Sequence, residues 1–113
     1  MEFCYNKFDK EGVFMIDLKE KQKEVYQNKL DKGFSLDPNF NFNLLYGEVA
    51  EAYDAYYKKK DDLGSEFADV VIYVMGLCET LGIDLEEELL KKIDKNKKRK
   101  YKKENGAYIR IEG

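Results

Sequence analysis

Apolar residues recur at helical spacing through most of this chain. Leu45, Val49, Ala52 and Tyr56 follow one another at intervals of four, three and four. That is the stripe of a core-facing helix and predicts one from about Asn43 to Lys60. The next helix is predicted from about Asp62 to Leu81, with Gly82 as its stop. Leu63, Phe67, Val70, Val74, Leu77 and Leu81 form one stripe on it, and Val71, Met75 and Cys78 form a second beside the first. Two stripes predict a helix covered on most sides, inside a bundle or at a subunit interface. Ahead of both, a helix opens near Asp17, with Glu20 at the capping-box position, and closes at Gly33. The connector GFSLDPNFN follows, holding the only proline, Pro38. Asp84-Leu-Glu-Glu caps a fourth helix, which is predicted to reach about Lys103. Its first turn is acidic and its last turns basic, as the helix dipole favours. GVFMI and AYIRI, towards the two ends, read as short extended pieces that could pair. The expected fold is all-α, a four-helix bundle-like subunit forming a single domain over residues 1–113.

Composition narrows the chemistry. Hydrophobic residues make up 43% and charged residues 38% of the 113 positions, which is ordinary for a soluble globular domain. The formal net charge of −3 requires neither a nucleic-acid nor a membrane partner. MEFCYNKFDKEG has no apolar signal core, and the apolar run from Val70 to Cys78 is too short to span a bilayer. A cytoplasmic protein is therefore expected. Cys4 and Cys78 fit no metal or redox motif, and Cys78, inside the apolar run, reads as a buried hydrophobe. Histidine is absent, which excludes His-ligated zinc and His-dependent nucleophilic catalysis. The glycines are scattered singly, so there is no Gly-rich phosphate loop. Carboxylates, lysines, arginines, amides and tyrosines remain.

Asp69 then stands out, because Val70, Val71 and Ile72 follow it directly. A carboxylate among apolar neighbours costs several kcal/mol unless it is paired or neutralised. Glu66 precedes it by three residues, and Glu48 and Glu51 repeat that spacing on the preceding helix. Each pair projects from one helix face beside the apolar stripe. Two antiparallel helices joined by the short loop from Lys60 to Gly64 would bring the pairs face to face. Four convergent carboxylates need positive charge between them. Lysines could supply it, and Asp69 could instead cap a neighbouring helix or pair with Lys92. A hard divalent cation suits an all-oxygen site better, and Mg²⁺ needs no histidine or cysteine.

EVAE (Glu48 to Glu51) followed by EFAD (Glu66 to Asp69) resembles the ExxE…ExxD signature of the MazG-like, all-α nucleoside triphosphate pyrophosphohydrolases. LGIDLEEELLKKIDKNKKRKY resembles the segment of that family in which a lysine is followed by asparagine four residues later and arginine three after that, here Lys92, Asn96 and Arg99. VYQNKLDKGF is similar to the family's first helix and its Gly-aromatic ending. The resemblance covers about residues 20–106. The chain departs from it at Gly47, where relatives often carry a second glutamate, and at Lys100 and Tyr101, where many have proline.

The resemblance implies Mg²⁺-dependent hydrolysis (Mn²⁺ being the alternative ion) of a ribo- or deoxyribonucleoside triphosphate to the monophosphate and pyrophosphate, in a nucleotide house-cleaning role. It implies Glu48, Glu51, Glu66 and Asp69 as metal ligands and catalytic groups, with any one of them able to take a proton from water. Lys92, Asn96 and Arg99, at i, i+4 and i+7, would bind the phosphates. Phe34, Phe40, Phe42 and Tyr46 could stack on a base or belong to the core, and Gln22 and Asn28 are candidate edge readers. A homo-oligomer, dimer or tetramer, is implied, with the carboxylates near its interface. The alternative is a helical bundle that binds a nucleotide or metal without turning it over. A nucleic-acid contact through the Lys-rich stretch from Lys91 to Lys103 is the weakest reading, because the rest of the chain is acidic.

Overall fold

The computed structural model describes residues 7–8 and 14–112, with side chains from 15 to 111. Cys4 and the Gly12 and Val13 of GVFMI lie outside the described residues. Strands β1 (Lys7–Phe8) and β2 (Phe14–Met15) pair antiparallel. Helix α1 (Leu18–Lys32) begins where the Asp17 carboxylate accepts a hydrogen bond from the Glu20 N–H at 3.1 Å. It ends at Gly33, whose φ of 69° lets the Phe34 N–H reach back to the Lys29 carbonyl.

Helix α2 (Pro38–Tyr57) starts five residues before the expected Asn43. Pro38 occupies the first helical position, where a missing N–H costs nothing, and the Asp37 carboxylate accepts from the Phe40 N–H at 2.9 Å. The connector therefore contributes the first turn of the helix. Helix α3 (Leu63–Thr80) agrees with expectation, and the left-handed Gly82 lets the Ile83 N–H donate to the Cys78 carbonyl.

Helix α4 (Leu85–Lys98) is capped by Asp84, as expected, but stops five residues before Lys103. Strands β3 (Lys100–Glu104) and β4 (Ala107–Glu112) form an antiparallel hairpin there. Asn105 and Gly106 both have positive φ (52° and 80°), the requirement of a tight hairpin turn. Beyond Ile93 the basic stretch adds no apolar stripe to pack, so nothing carries the helix past Lys98. AYIRI is extended, as expected, and its partner is KYKKE. The described residues are thus mostly α-helical, with four helices, a short strand pair ahead of them and a hairpin after them.

Helix α3 packs against both α1 and α2, and α4 rests on α1. Among the described residues the buried apolar ones are Ala52, Ala55, Met75, Leu77 and Cys78, a small core for about a hundred residues. Val49, Tyr56, Phe67, Val71 and Leu81, all placed in core stripes by their spacing, are about half exposed or more. The radius of gyration is 17.7 Å, against about 13 Å for a compact domain of this size. Each stripe is wider than one neighbouring helix can cover.

Candidate metal and nucleotide site

Glu48 and Glu51 stand one turn apart on α2, and Glu66 and Asp69 one turn apart on α3, the two helices being packed together. Carboxylate oxygens of Glu48, Glu51 and Glu66 all lie within 4.8 Å of one another. Asp69 is half-buried beside them, and its charge acts on both Glu48 and Glu66. Burial pushes the Glu48 carboxyl above its ordinary range, and Glu51, Asp69 and Glu66 push it further. Burial also raises Glu66, helped by Asp62, Glu51 and Asp69 and opposed by Lys60. One oxygen of each, Oε2, is buried without a hydrogen-bond partner. A buried acceptor left unsatisfied is expensive. Hard oxygen donors clustered this tightly, two of them unpartnered, fit a divalent cation such as Mg²⁺.

Four residues beyond Asp69, the Tyr73 phenol is also raised, first by burial and then by Glu48, Asp69 and Glu51. Lys29, from α1, places its Nζ 4.9 Å from the centre of the Tyr73 ring and donates to Asn41 Oδ1 at 2.6 Å. Asn41 is 4% exposed, and its Nδ2 donates to the Ser35 and Asp37 carbonyls at 2.9 and 2.8 Å. Lys29, Asn41, Tyr73, Phe34, Phe40 and Leu44 line a cavity of about 230 Å³. Of these, only the two phenylalanines follow from sequence reasoning. Lys29, Asn41 and Tyr73 are brought together by the packing of α1 and α2 against α3; the one local signal is Gly76, a glycine in the middle of an apolar helix.

The other expected residues are placed differently. Lys92 and Asn96 are exposed on α4, whose packing and described hydrogen bonds go to α1. Arg99 lies beyond the last helical residue with extended backbone (ψ 139°), so it does not continue the Lys92–Asn96 face as an i+7 residue would. Its Nε is buried without a partner. The strongest influences on Glu48 and Glu66 come from α2, α3 and the loop between them, none from α4. Phe42 and Tyr46 are exposed and outside the cavity lining. Gln22 is no edge reader: its Nε2 donates to Glu79 Oε1 and the Ile83 carbonyl, and its Oε1 accepts from the Leu85 N–H. Asn28 is exposed on α1.

The profile of the MazG-like family matches residues 43–111. The chain belongs to the MazG-like family. The matched segment holds both carboxylate pairs, all of α3 and α4, and most of the C-terminal hairpin. Helix α1, with Lys29, and the first turn of α2, with Asn41, lie outside it. No curated protein and no solved structure matches the chain. No helix among the described residues is long and apolar enough to cross a membrane.

Proposed function

We propose that this MazG-like protein hydrolyses a nucleoside triphosphate to the monophosphate and pyrophosphate, with Mg²⁺ (or Mn²⁺) held by Glu48, Glu51, Glu66 and Asp69. The observation that carries the reading is the meeting of three carboxylates within 4.8 Å, with the Oε2 atoms of Glu48 and Glu66 buried and unpartnered. A cation bound there would supply Lewis-acid stabilisation of the phosphate oxygens and a water of lowered pKa. Water oxygen bonds to the α-phosphorus, the bridging bond to the β-phosphate breaks, and pyrophosphate leaves with the bridging oxygen. One carboxylate of the four takes the water's proton. Lys92, Asn96 and Arg99 are assigned as substrate contacts, with the unpartnered Arg99 Nε as a donor for a phosphate oxygen.

The working form is a homo-oligomer. Val49, Ala52, Tyr53, Tyr56, Phe67 and Val70 line an apolar cavity of about 410 Å³ on the α2–α3 face, and most of these side chains are half exposed or more in the single chain. A second copy is the occupant that also enlarges the small core. Val49, Phe67 and Val70 are sequence neighbours of Glu48, Glu66 and Asp69, so the carboxylates border that interface. The role is clearance of nucleotides in the cytoplasm.

The test is pyrophosphate release from a panel of ribo- and deoxyribonucleoside triphosphates with Mg²⁺, with excess chelator, and with Glu48→Gln. Release should require Mg²⁺ and fall by at least about 100-fold in the folded variant. Nucleotide and metal binding without any turnover would instead identify a binding module.

A further inference from the structure

We infer that Lys29 reads the nucleobase, selecting bases with a ring oxo group where cytosine and adenine carry an amino group. This rests on the nucleotide reading of the carboxylate site. The cavity beside Lys29 shares two of its walls, α2 and α3, with the carboxylates. Tyr73 is one turn from Asp69, and Asn41 is two turns, about 10 Å, from Glu48. That is the separation a sugar bridges between a metal-bound phosphate and its base. At about 230 Å³ the cavity is smaller than a pocket for a drug-sized ligand, about 300 Å³ upward, and suits a single heterocycle. Phe34 and Phe40, 57% and 50% exposed, offer faces on which a base can stack.

Donor polarity decides which base. An ammonium has three donors and no acceptor. One Lys29 donor is committed to Asn41 Oδ1. Because the Asn41 Nδ2 hydrogens go to the Ser35 and Asp37 carbonyls, its amide cannot turn to present a different group. With Asn41 4% exposed and its Oδ1 engaged by the ammonium, what the pair presents to the cavity is the Lys29 N–H donors. A carbonyl oxygen completes the set, whereas an amino group opposes donor to donor. The ammonium is also held in place. Its stem passes Gly76, where a Cβ would lie 3.0 Å from Cε, and no ion pair neutralises it among the described residues. Burial lowers its pKa, as expected for a cation partly withdrawn from water with no carboxylate against it.

The experiment is equilibrium binding of UMP, CMP, GMP and AMP to the full chain with Mg²⁺, comparing native protein, Lys29→Met and Lys29→Gln. Native protein should bind UMP tighter than CMP, and GMP tighter than AMP, by at least about tenfold. Lys29→Met should narrow both ratios to within about twofold by weakening UMP and GMP alone. Lys29→Gln, which offers both a donor and an acceptor, should close the gap as well and keeps the test valid if the Met variant does not fold. Equal binding of all four by native protein would overturn the inference, as would binding of none. Uniform weakening of all four by both variants would make Lys29 a phosphate contact and also overturn it. Turnover of the triphosphates separates the two readings. Selective binding without turnover sinks only the pyrophosphohydrolase, and turnover without selectivity sinks only the role of Lys29.

Discussion

Gly76 of α3 lies under the stem of Lys29 from α1: a Cβ at that position would stand 3.0 Å from Lys29 Cε and 3.5 Å from Val25 Cγ1. The first distance forces a shift, and the flexible lysine stem is what gives. In the middle of a helix, Gly→Ala gains about 1 kcal/mol of propensity, which offsets the crowding. Gly76→Ala should leave the urea midpoint close to native. It should raise KM for the preferred nucleotide several-fold with kcat little changed, because the Lys29 ammonium is displaced from Asn41. Urea titration and steady-state kinetics on the same preparation check both halves.

Gln22, 5% exposed, ties α1 to the turn between α3 and α4 through Glu79, the Ile83 carbonyl and the Leu85 N–H. Gln22→Ala leaves two backbone groups unsatisfied and opens space beside them. The expected loss is about 2–4 kcal/mol, read from the denaturation midpoint. A loss below about 1 kcal/mol would mean that water replaces the amide at no cost.

Glu48 and Glu66 hold their protons more tightly folded than unfolded, chiefly through burial. Such a group contributes most to stability below its unfolded pKa, and the contribution is lost as pH rises through the raised folded value. Asp54, held low by Lys58 and Lys60, and Asp84, held low by the Glu87 N–H, behave oppositely and lose their contribution in acid. In metal-free protein, Glu48→Gln should therefore raise Tm at neutral pH and change it little below the carboxylate range. Thermal melts in chelator across that range test the sign. A benefit that grew towards acid would contradict it.

Tyr53 and Tyr56 are 65% and 66% exposed in the single chain. Substitutions at such positions on a monomer cost within about 0.5 kcal/mol. At the core of an interface they disrupt assembly. If the proposed homo-oligomer forms through this face, Tyr53→Asp should give a smaller species than the native protein and lower Tm, measured by light scattering after gel filtration. An unchanged mass would place the interface elsewhere.

Features set by local chemistry were legible in the sequence. Asp17 and Asp84 cap helices, and Gly33 and Gly82 end them, because each acts on backbone groups within four residues. Glu48, Glu51 and Glu66 were legible too, since the spacing of three on adjacent helices dictates a common face. Pro38 looks like a connector residue by composition, but Asp37 caps the helix of which it is the first residue. The charges of the basic stretch after Arg99 suit a helix end, but Asn105-Gly106 is a strong hairpin signal and decides its structure. Lys29, Asn41 and Tyr73 are not legible, because what joins them is the packing of α1 and α2 against α3. Val49 and Tyr56 show a related limit. Their spacing marks a face to be covered but does not say whether the same chain covers it.

The most direct test of the central claim is phosphorus NMR of a nucleoside triphosphate incubated with Mg²⁺ and either native protein or Glu66→Gln. Native protein should give monophosphate and pyrophosphate signals in equal amounts, and the folded variant should give neither. Diphosphate and orthophosphate as products, or a variant as active as the native protein, would contradict the account.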